Sequence, residues 1–251
     1  MIVRSTADGL VLVTQSAHAL LAFQLAEHWG NRITPRPSPR AEVLAAVLLH
    51  DAGWDHWDQY PQWDEAEGPL GFETWPSGEE RERLWRESLA HAAQRGRYVE
   101  YLVGHHVLHL AETYSPNQHQ EFVLELRQHL QRLREQLAEE PRFRQLLVTG
   151  QDEVNRQILR AVDALAIYLL RPPVRWEVPE VPLKEGPVCL QLIPADPNLF
   201  RLHPWPFVGS RLTVRVEGYR LPTQAPVPKD TWSQLPRVTL AFTLLRLGKA
   251  S

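Results

Sequence analysis

The chain has 251 residues, of which 43% are hydrophobic and 23% charged, and a formal net charge of -3. That length and apolar content suffice for a substantial buried core, and the near balance of charge excludes the basic stripe on which nucleic acid polymers bind. A single cysteine, Cys189, excludes an internal disulfide and any thiolate-rich metal site, and is expected to be a buried spectator.

The opening segment MIVRSTADGLVLVTQ lacks the basic segment, apolar run and cleavage site of a secretory signal. No apolar stretch nears the roughly 20 residues that span a bilayer, so a cytoplasmic location without membrane attachment is expected.

In chain order, residues 2–5 and 9–14 flank the turn signal Ala7-Asp8-Gly9 and predict a small hairpin. Ser16 reads as a helix cap, apolar positions recur at helical spacing from Ala17 to Trp29, and Gly30 is a stop signal. After a proline-rich loop over 35–39, a second helix is predicted from about Arg40 to Asp51, with Leu44, Val47 and Leu48 inward. The segment from Gly53 to Ser77 carries Trp54, Trp57, Trp63 and Trp75 among prolines and glycines and reads as an irregular aromatic loop. Further helices are predicted at about 79–95, 97–112, 117–138 and 151–170, the last ending against Pro172-Pro173. Along 79–87 arginine alternates with glutamate, the pattern of a solvated helix face.

Beyond Pro172 proline becomes frequent, and short apolar runs at 188–193, 212–217 and 237–246 suggest strands, although the last fits a helix equally well. There is no solenoid-period repeat and no low-complexity tract. The expected architecture is therefore mainly α: a helical bundle over 1–172 with a small N-terminal hairpin, and a β-rich or mixed appendage over 173–251 packed on it.

Four ionisable residues interrupt apolar helix faces. His50-Asp51 closes the run AEVLAAVLLHDAGW, His18 lies one turn before Leu21 and Ala22, and Asp163 has Leu159 four residues before it and Ile167 four after. Burying such groups costs several kcal/mol unless they are paired, hydrogen-bonded or bound to a metal. Individually, His18 reads as a satisfied core histidine and Asp163 as a partner for an arginine or a helix N-terminus. Together they form a nitrogen and oxygen donor set suited to iron, manganese, cobalt or zinc.

A histidine, an adjacent His-Asp and a distant aspartate resemble the HD superfamily of metal-dependent phosphohydrolases. His18 in QSAHALLAFQLAEHW matches the first histidine, His50-Asp51 the doublet, and Asp163 in AVDALAIYLL the final aspartate. More narrowly, TQSAHALLAFQLAEHWG, HDAGWDHWD, YVEYLVGHH, VDALAIYLL and HPWPF are similar to an HD-related bacterial family with no assigned function, over most of the chain. The resemblance implies an HD-type helical bundle holding one or two divalent transition metal ions. It also implies that His106 joins His18, His50, Asp51 and Asp163 as a ligand, and that His91 or His105 serves as proton donor or second-site ligand. With two ions, Asp51 would bridge them and seven side chains would take part. His105 and His109 are spaced i, i+4, but the glutamate of a zinc-protease motif is missing, so His109 reads as surface. His28, His56, His119 and His129 read as solvent-facing or locally bonded.

The pattern departs from the family at Gly53-Trp54, where several phosphodiesterase branches carry glycine and lysine, and the Gly-Tyr-Pro signature of cyclic-dinucleotide enzymes is absent. Trp54 and Trp57 are candidates to stack on a planar substrate, whereas Trp63 and Trp75 read as loop core. Arg160, one turn before Asp163, is a candidate phosphate ligand or the partner of an acid. HPWPF reads as structural packing, with a pocket cover or subunit contact as the alternative.

The resemblance implies a metal-dependent hydrolase of a small phosphate ester or nucleotide, with metal-activated water as nucleophile. The alternatives are a non-catalytic metal- or nucleotide-binding regulatory module and a di-iron oxygenase of the same ligand pattern. The expected partner is a small molecule, phosphorylated or not, rather than a nucleic acid polymer or membrane; a homo-oligomer is compatible with the composition.

Overall fold

The computed structural model describes residues 1–6, 8–60, 62–64, 68–74, 76–114, 118–221 and 234–248. The turn signal at Ala7 and the loop tryptophan Trp75 lie outside them. Strands β1 (Ile2–Thr6) and β2 (Gly9–Val13) form the hairpin, followed by helices α1 (Gln15–Glu27) and α2 (Arg40–Leu49). A 3-10 turn, Ala52–Trp54, leads into the short helix α3 (Asp55–Asp58) and the small strands β3 (Trp63–Asp64) and β4 (Gly68–Pro69). Helices α4 (Gly78–Ala93), α5 (Arg97–Tyr114), α6 (Gln120–Glu139), α7 (Pro141–Thr149) and α8 (Gln151–Leu170) follow. Strands β5 (Trp176–Leu183), β6 (Gly186–Asp196), β7 (Leu199–His203), β8 (Arg211–Leu221) and β9 (Arg237–Arg246) complete the order.

Local chemistry accounts for most boundaries. Thr14, not Ser16, caps α1: its backbone is extended and its side chain accepts from the Ala17 N–H at 3.1 Å. Gly150, at φ 74°, ends α7 in the left-handed conformation that suits glycine and leads into α8. In α6, Phe122, Leu126, Leu130, Leu133 and Leu137 recur at three- and four-residue spacing and are buried. In α2 the buried residues are Val43, Ala46 and Val47, whereas Leu48 faces outward.

The expectation of a mainly α bundle with a separate β-rich appendage is corrected. The chain is 50% helical and 27% strand; among the described residues seven of its strands form one large, curled mixed sheet of the half-barrel type, and β3 and β4 pair with each other as a separate two-stranded sheet. The sheet order is β1-β2-β8-β9-β7-β6-β5, antiparallel throughout except for the parallel β7–β9 pair. Hairpin and C-terminal strands join through β2 and β8, where Leu10, Val11 and Leu12 pair with Leu221, Arg220 and Tyr219. Gly218 permits this approach, because a Cβ there would stand 2.7 Å from Val11 Cγ1. Pairing across some two hundred residues leaves no local signal, which is why the hairpin reads as isolated in sequence. The ambiguous run 237–246 is strand β9; β5, β7 and helix α7 do not stand out in the sequence, and the segment read as an irregular loop holds α3, β3 and β4. On β6, alternation turns Leu190 and Leu192 inward and Cys189 outward, so Cys189 is exposed rather than buried.

Helix α1 packs on β8, and α8 on β5 and β1, so these two helices lie between the sheet and the remaining helices. One continuous apolar core runs through both layers, from Val214 and Phe242 of the sheet to Leu25, Val47, Val103 and Leu165 of the helices. HPWPF belongs to this framework: Phe207 is buried edge-on against Trp29 at 5.7 Å, and the Asn31 side chain donates to the carbonyls of Trp205 and Phe207. No helix among the described residues is long and apolar enough to cross a membrane.

Arg4 fastens the layers together. Its buried guanidinium donates to the carbonyls of Leu169 (2.7 Å) and Arg171 (3.1 Å) at the C-terminal end of α8, and to Pro197 O and Asn198 Oδ1 (both 3.3 Å) in the β6–β7 turn. A cation suits the negative end of the helix dipole. Arg4→Met is expected to lower the free energy of unfolding by about 2–3 kcal/mol, since buried carbonyls lose their donor. Urea denaturation checks this, and an unchanged midpoint would show that the tie is dispensable.

Candidate functional site

Four helices deliver five ionisable side chains to one place. His18 comes from the inward face of α1, His50 and Asp51 from the end of α2, His106 from α5 and Asp163 from α8, and none is more than 8% exposed. His18 Nε2 lies 3.1 Å from Asp163 Oδ1, and His18 Nδ1 3.6 Å from Asp51 Oδ2. His50 Nε2 is 3.3 Å from both Asp51 Oδ2 and Asp163 Oδ1, and His106 Nε2 is 3.6 Å from Asp163 Oδ2. The rings of His18 and His106 stand edge-on to His50, at 5.4 and 5.0 Å.

The tautomer of His50 is set locally. Its Nδ1–H donates to the Val47 carbonyl at 2.7 Å, one turn back, which turns Nε2 toward the cluster. Among the described residues, His18 Nδ1, His50 Nε2 and both nitrogens of His106 are buried without a hydrogen-bond partner. Burial disfavours the charged imidazoles of His18 and His50, but the carboxylates outweigh it: Asp163 and Asp51 hold His18 above its ordinary pKa, and Asp51 and Asp163 hold His50 well above. Burial likewise opposes ionisation of the two carboxyls, yet His50 and His18 keep Asp51 low and His18 and His50 keep Asp163 well below the usual range. His106 goes the other way: burial, partly opposed by Asp163, pulls it down to about 4, so its ring is neutral.

This donor set fits a divalent cation. Metal bonds of about 2.0–2.2 Å put neighbouring ligand atoms roughly 3.0–3.5 Å apart, close to the spacings observed. Donor atoms of His18, His50 and Asp163 all lie within 4.8 Å of one another. His106 and Asp51 stand just outside that group: His106 Nε2 is 3.6 Å from the other Asp163 oxygen, Oδ2, and Asp51 Oδ2 approaches His18 through Nδ1 rather than Nε2, at 3.6 Å.

The 3-10 turn after the doublet is clamped onto α4. The Gly53 N–H donates to Ser88 Oγ at 2.9 Å, and a Cβ on Gly53 would stand 2.0 Å from the Leu84 carbonyl oxygen and 2.8 Å from the Ser88 nitrogen. Trp54 is thereby buried and turned, edge-on to Phe72, into the wall of a cavity of about 590 Å³. Asp51, His106 and Asp163 line this cavity while His18 and His50 stand behind them, so the cluster has one open side. Trp54, Phe72, Trp85 and Tyr168 contribute aromatic faces to its walls, and Gln15, Glu73, Arg81 and Arg171 are among its polar lining.

Several sequence-predicted site residues are elsewhere. His91 is exposed, because the inward stripe of α4 is Leu84, Trp85, Ser88 and Ala92. His105, one residue and about 100° around the helix from His106, packs edge-on to Tyr101 at 4.5 Å and faces Arg156 Nη1 at 3.2 Å. The seven-ligand arrangement is therefore not assembled among the described residues. Trp57 is half-buried off the cavity, and Trp63 is exposed. Arg160 pairs with Glu153 (3.2 Å) and Glu180 (3.3 Å), the acid-pairing alternative, and is not in the cavity wall. His109 makes no contact with the cluster; His119 bonds Glu82 and His129 bonds Glu100, both at 2.7 Å. Sequence reasoning missed Gln15, Phe72, Arg81, Trp85 and Tyr168. Arg81 is camouflaged in the alternating EERER run, where Arg83 does pair with Glu80 and Glu87 on the solvated face.

Fold and site thus define a helix-and-sheet protein with a buried His/Asp cluster opening onto an aromatic cavity. Residues 1–223 match the family described as "Protein of unknown function (DUF3891)", and the chain belongs to that family. No curated protein and no solved structure matches it.

Two measurements probe this construction. Gly53→Ala is expected to destabilise the protein by about 1–3 kcal/mol or more, because the new methyl group must push α4 away from the doublet; wild-type stability would mean that the clamp yields freely. His105 provides the pH test. Burial first, then Arg156, Arg134 and Arg160, depress its pKa to about 3 from an ordinary value near 6.5. Its neutral form is favoured on folding, so this contribution is complete above about pH 6.5 and declines toward pH 3, where the unfolded chain alone takes up the proton. His105→Gln should flatten the fall of thermal midpoint between about pH 6.5 and 4. An unchanged slope would exclude His105 as its source.

Proposed function

We propose that this protein is a metal-dependent hydrolase of a small phosphate ester or nucleotide, its centre built on the HD-like pattern of His18, His50, Asp51 and Asp163, with His106 as a further ligand. The observation that carries the reading is the meeting of three imidazoles bearing unpartnered buried nitrogens with two carboxylates on the floor of a cavity. A divalent cation in this set would lower the pKa of water and offset negative charge on a transferring group.

The chain's own residues would do the rest. The Val47 carbonyl fixes the His50 ring, and the clamp of Gly53 on α4 fixes Asp51. Closure of the cluster by α1 and α2 on one side restricts a substrate to the face of Asp51, His106 and Asp163. The aromatic walls exclude water and suit a planar group. His106, neutral and at the cavity surface, is the imidazole best placed for proton transfer if it is not itself a ligand. The separation of His91 and His105 from the cluster favours a single ion over two, and hydrolysis over di-iron oxygen chemistry. Cytoplasmic action on a small molecule is the setting consistent with this reading.

Elemental analysis of the purified chain is expected to find about one transition metal ion per molecule, with His18→Ala and Asp163→Asn losing it while keeping their circular dichroism. With manganese, iron, cobalt or zinc added, wild type should turn over a member of a phosphatase and nucleotide panel, and Asp51→Ala should lower the rate by at least a hundredfold (about 10² as an order of magnitude). A metal-free protein inert across the panel sinks the proposal.

A further inference from the structure

Two arginines line the cavity, and they differ in one respect. Arg171 is neutralised by an ion pair with Glu73 and lies over the Trp176 ring, 5.5 Å from its centroid. Arg81 forms no ion pair among the described residues. Its Nε donates to the Pro76 carbonyl at 2.8 Å and its Nη2 to the Phe72 carbonyl at 2.6 Å, so it is held in place by neutral acceptors. Burial lowers its pKa, opposed by the charge of Asp51, which places the guanidinium within electrostatic reach of the cluster. Asp51, Glu73 and Asp163 line the same cavity, but none is in a direct ion pair with Arg81, and a half-buried guanidinium held in orientation by neutral acceptors is an arrangement that binds anions. A second feature points to a ligand independently. Gln15 is 2% exposed and lines the same cavity, yet its Oε1 has no hydrogen-bond partner among the described residues. Buried acceptors in cavities are satisfied by what the cavity binds.

We infer that Arg81 is the oxyanion-binding residue of the cavity, holding the phosphate-like group of a small ligand beside Asp51. This deepens the hydrolase reading and rests on it for the identity of the reaction, but the anion subsite itself does not depend on a metal. The free Gln15 Oε1 indicates that the ligand also carries an O–H or N–H donor. The two backbone tethers leave the guanidinium no rotational freedom to lose when the oxyanion arrives.

The test is titration calorimetry of inorganic phosphate into the full-length chain, with and without manganese, together with protection of wild-type arginines from phenylglyoxal mapped by mass spectrometry. Phosphate should bind in both states, shield Arg81 and leave Arg160 and Arg171 as reactive as before. Arg81→Gln should weaken phosphate binding by roughly tenfold or more, Arg81→Lys by clearly less, and Arg171→Gln little. A residue that served only to tether the 72–76 loop would fail equally as lysine or glutamine, and that equality would overturn the inference. So would phosphate binding indifferent to Arg81, no phosphate binding in either state, or phosphate that leaves Arg81 unshielded. If Arg81→Gln does not fold, the protection map on wild type decides. Loss of manganese uptake with Arg81-dependent phosphate binding intact would remove the metal reading and leave this one standing.

Discussion

The structure depends on mutual compensation among five buried ionisable side chains. A single imidazolium or carboxylate at the junction of α1, α2, α5 and α8 would carry a desolvation cost of several kcal/mol. Each member offsets its neighbours' cost: Asp163 faces three histidines, and Asp51 faces two. The arrangement also sets the relative positions of the helices, because a helix displaced by an ångström or two would strand a charge in the core. The balance is electrostatic more than hydrogen-bonded: among the described residues His18 Nδ1, His50 Nε2 and His106 Nε2 have carboxylates nearby but no hydrogen-bond partner, and His106 Nδ1 has no hydrogen-bond partner either.

The cluster is asymmetric, with one side closed by helices and the other open to the cavity. His18 and His50 stand on the closed side, behind α1 and α2, with α1 and α8 lying against the sheet and the sheet bound to the end of α8 through Arg4. Asp51, His106 and Asp163 stand on the open side. Helix α4 serves both purposes. Its inner stripe receives Gly53 and so fixes the doublet, its outer stripe is solvated by Arg83, Arg86 and their acidic partners, and Arg81 at its first turn reaches the cavity.

The core of the site was legible in the sequence because its members are local anomalies. His18, His50-Asp51 and Asp163 each interrupt an apolar helical stripe, and helical periodicity says which way a side chain points without knowledge of the neighbouring element. The outer parts were not legible for the converse reason. His91 and His105 share the type of His106, and a rotation of about 100° per residue separates an imidazole facing the cluster from one bonded to arginine. Arg160 stands between Leu159 and Ala161 and Arg81 between two glutamates, yet tertiary contacts decide that the first is paired with Glu153 and Glu180 while the second lines the cavity. Trp57 follows Trp54 by three residues, but the tight turn through Ala52–Trp54 buries one and leaves the other at the side.

The amino-acid order alone determined the six long helices α1, α2, α4, α5, α6 and α8, since their stops and apolar spacing are contained within a few turns of chain, and it singled out the polar groups that would have to be buried together; the short α3 and α7 and the Thr14 cap it did not show. Tertiary structure alone decided that the N-terminal hairpin and the C-terminal strands form one curled sheet, and that the cluster opens on the side of Arg81 and Gln15. Backbone pairing between strands two hundred residues apart is specified by complementary surfaces on both partners and by the approach that Gly218 allows, and neither partner carries that information by itself.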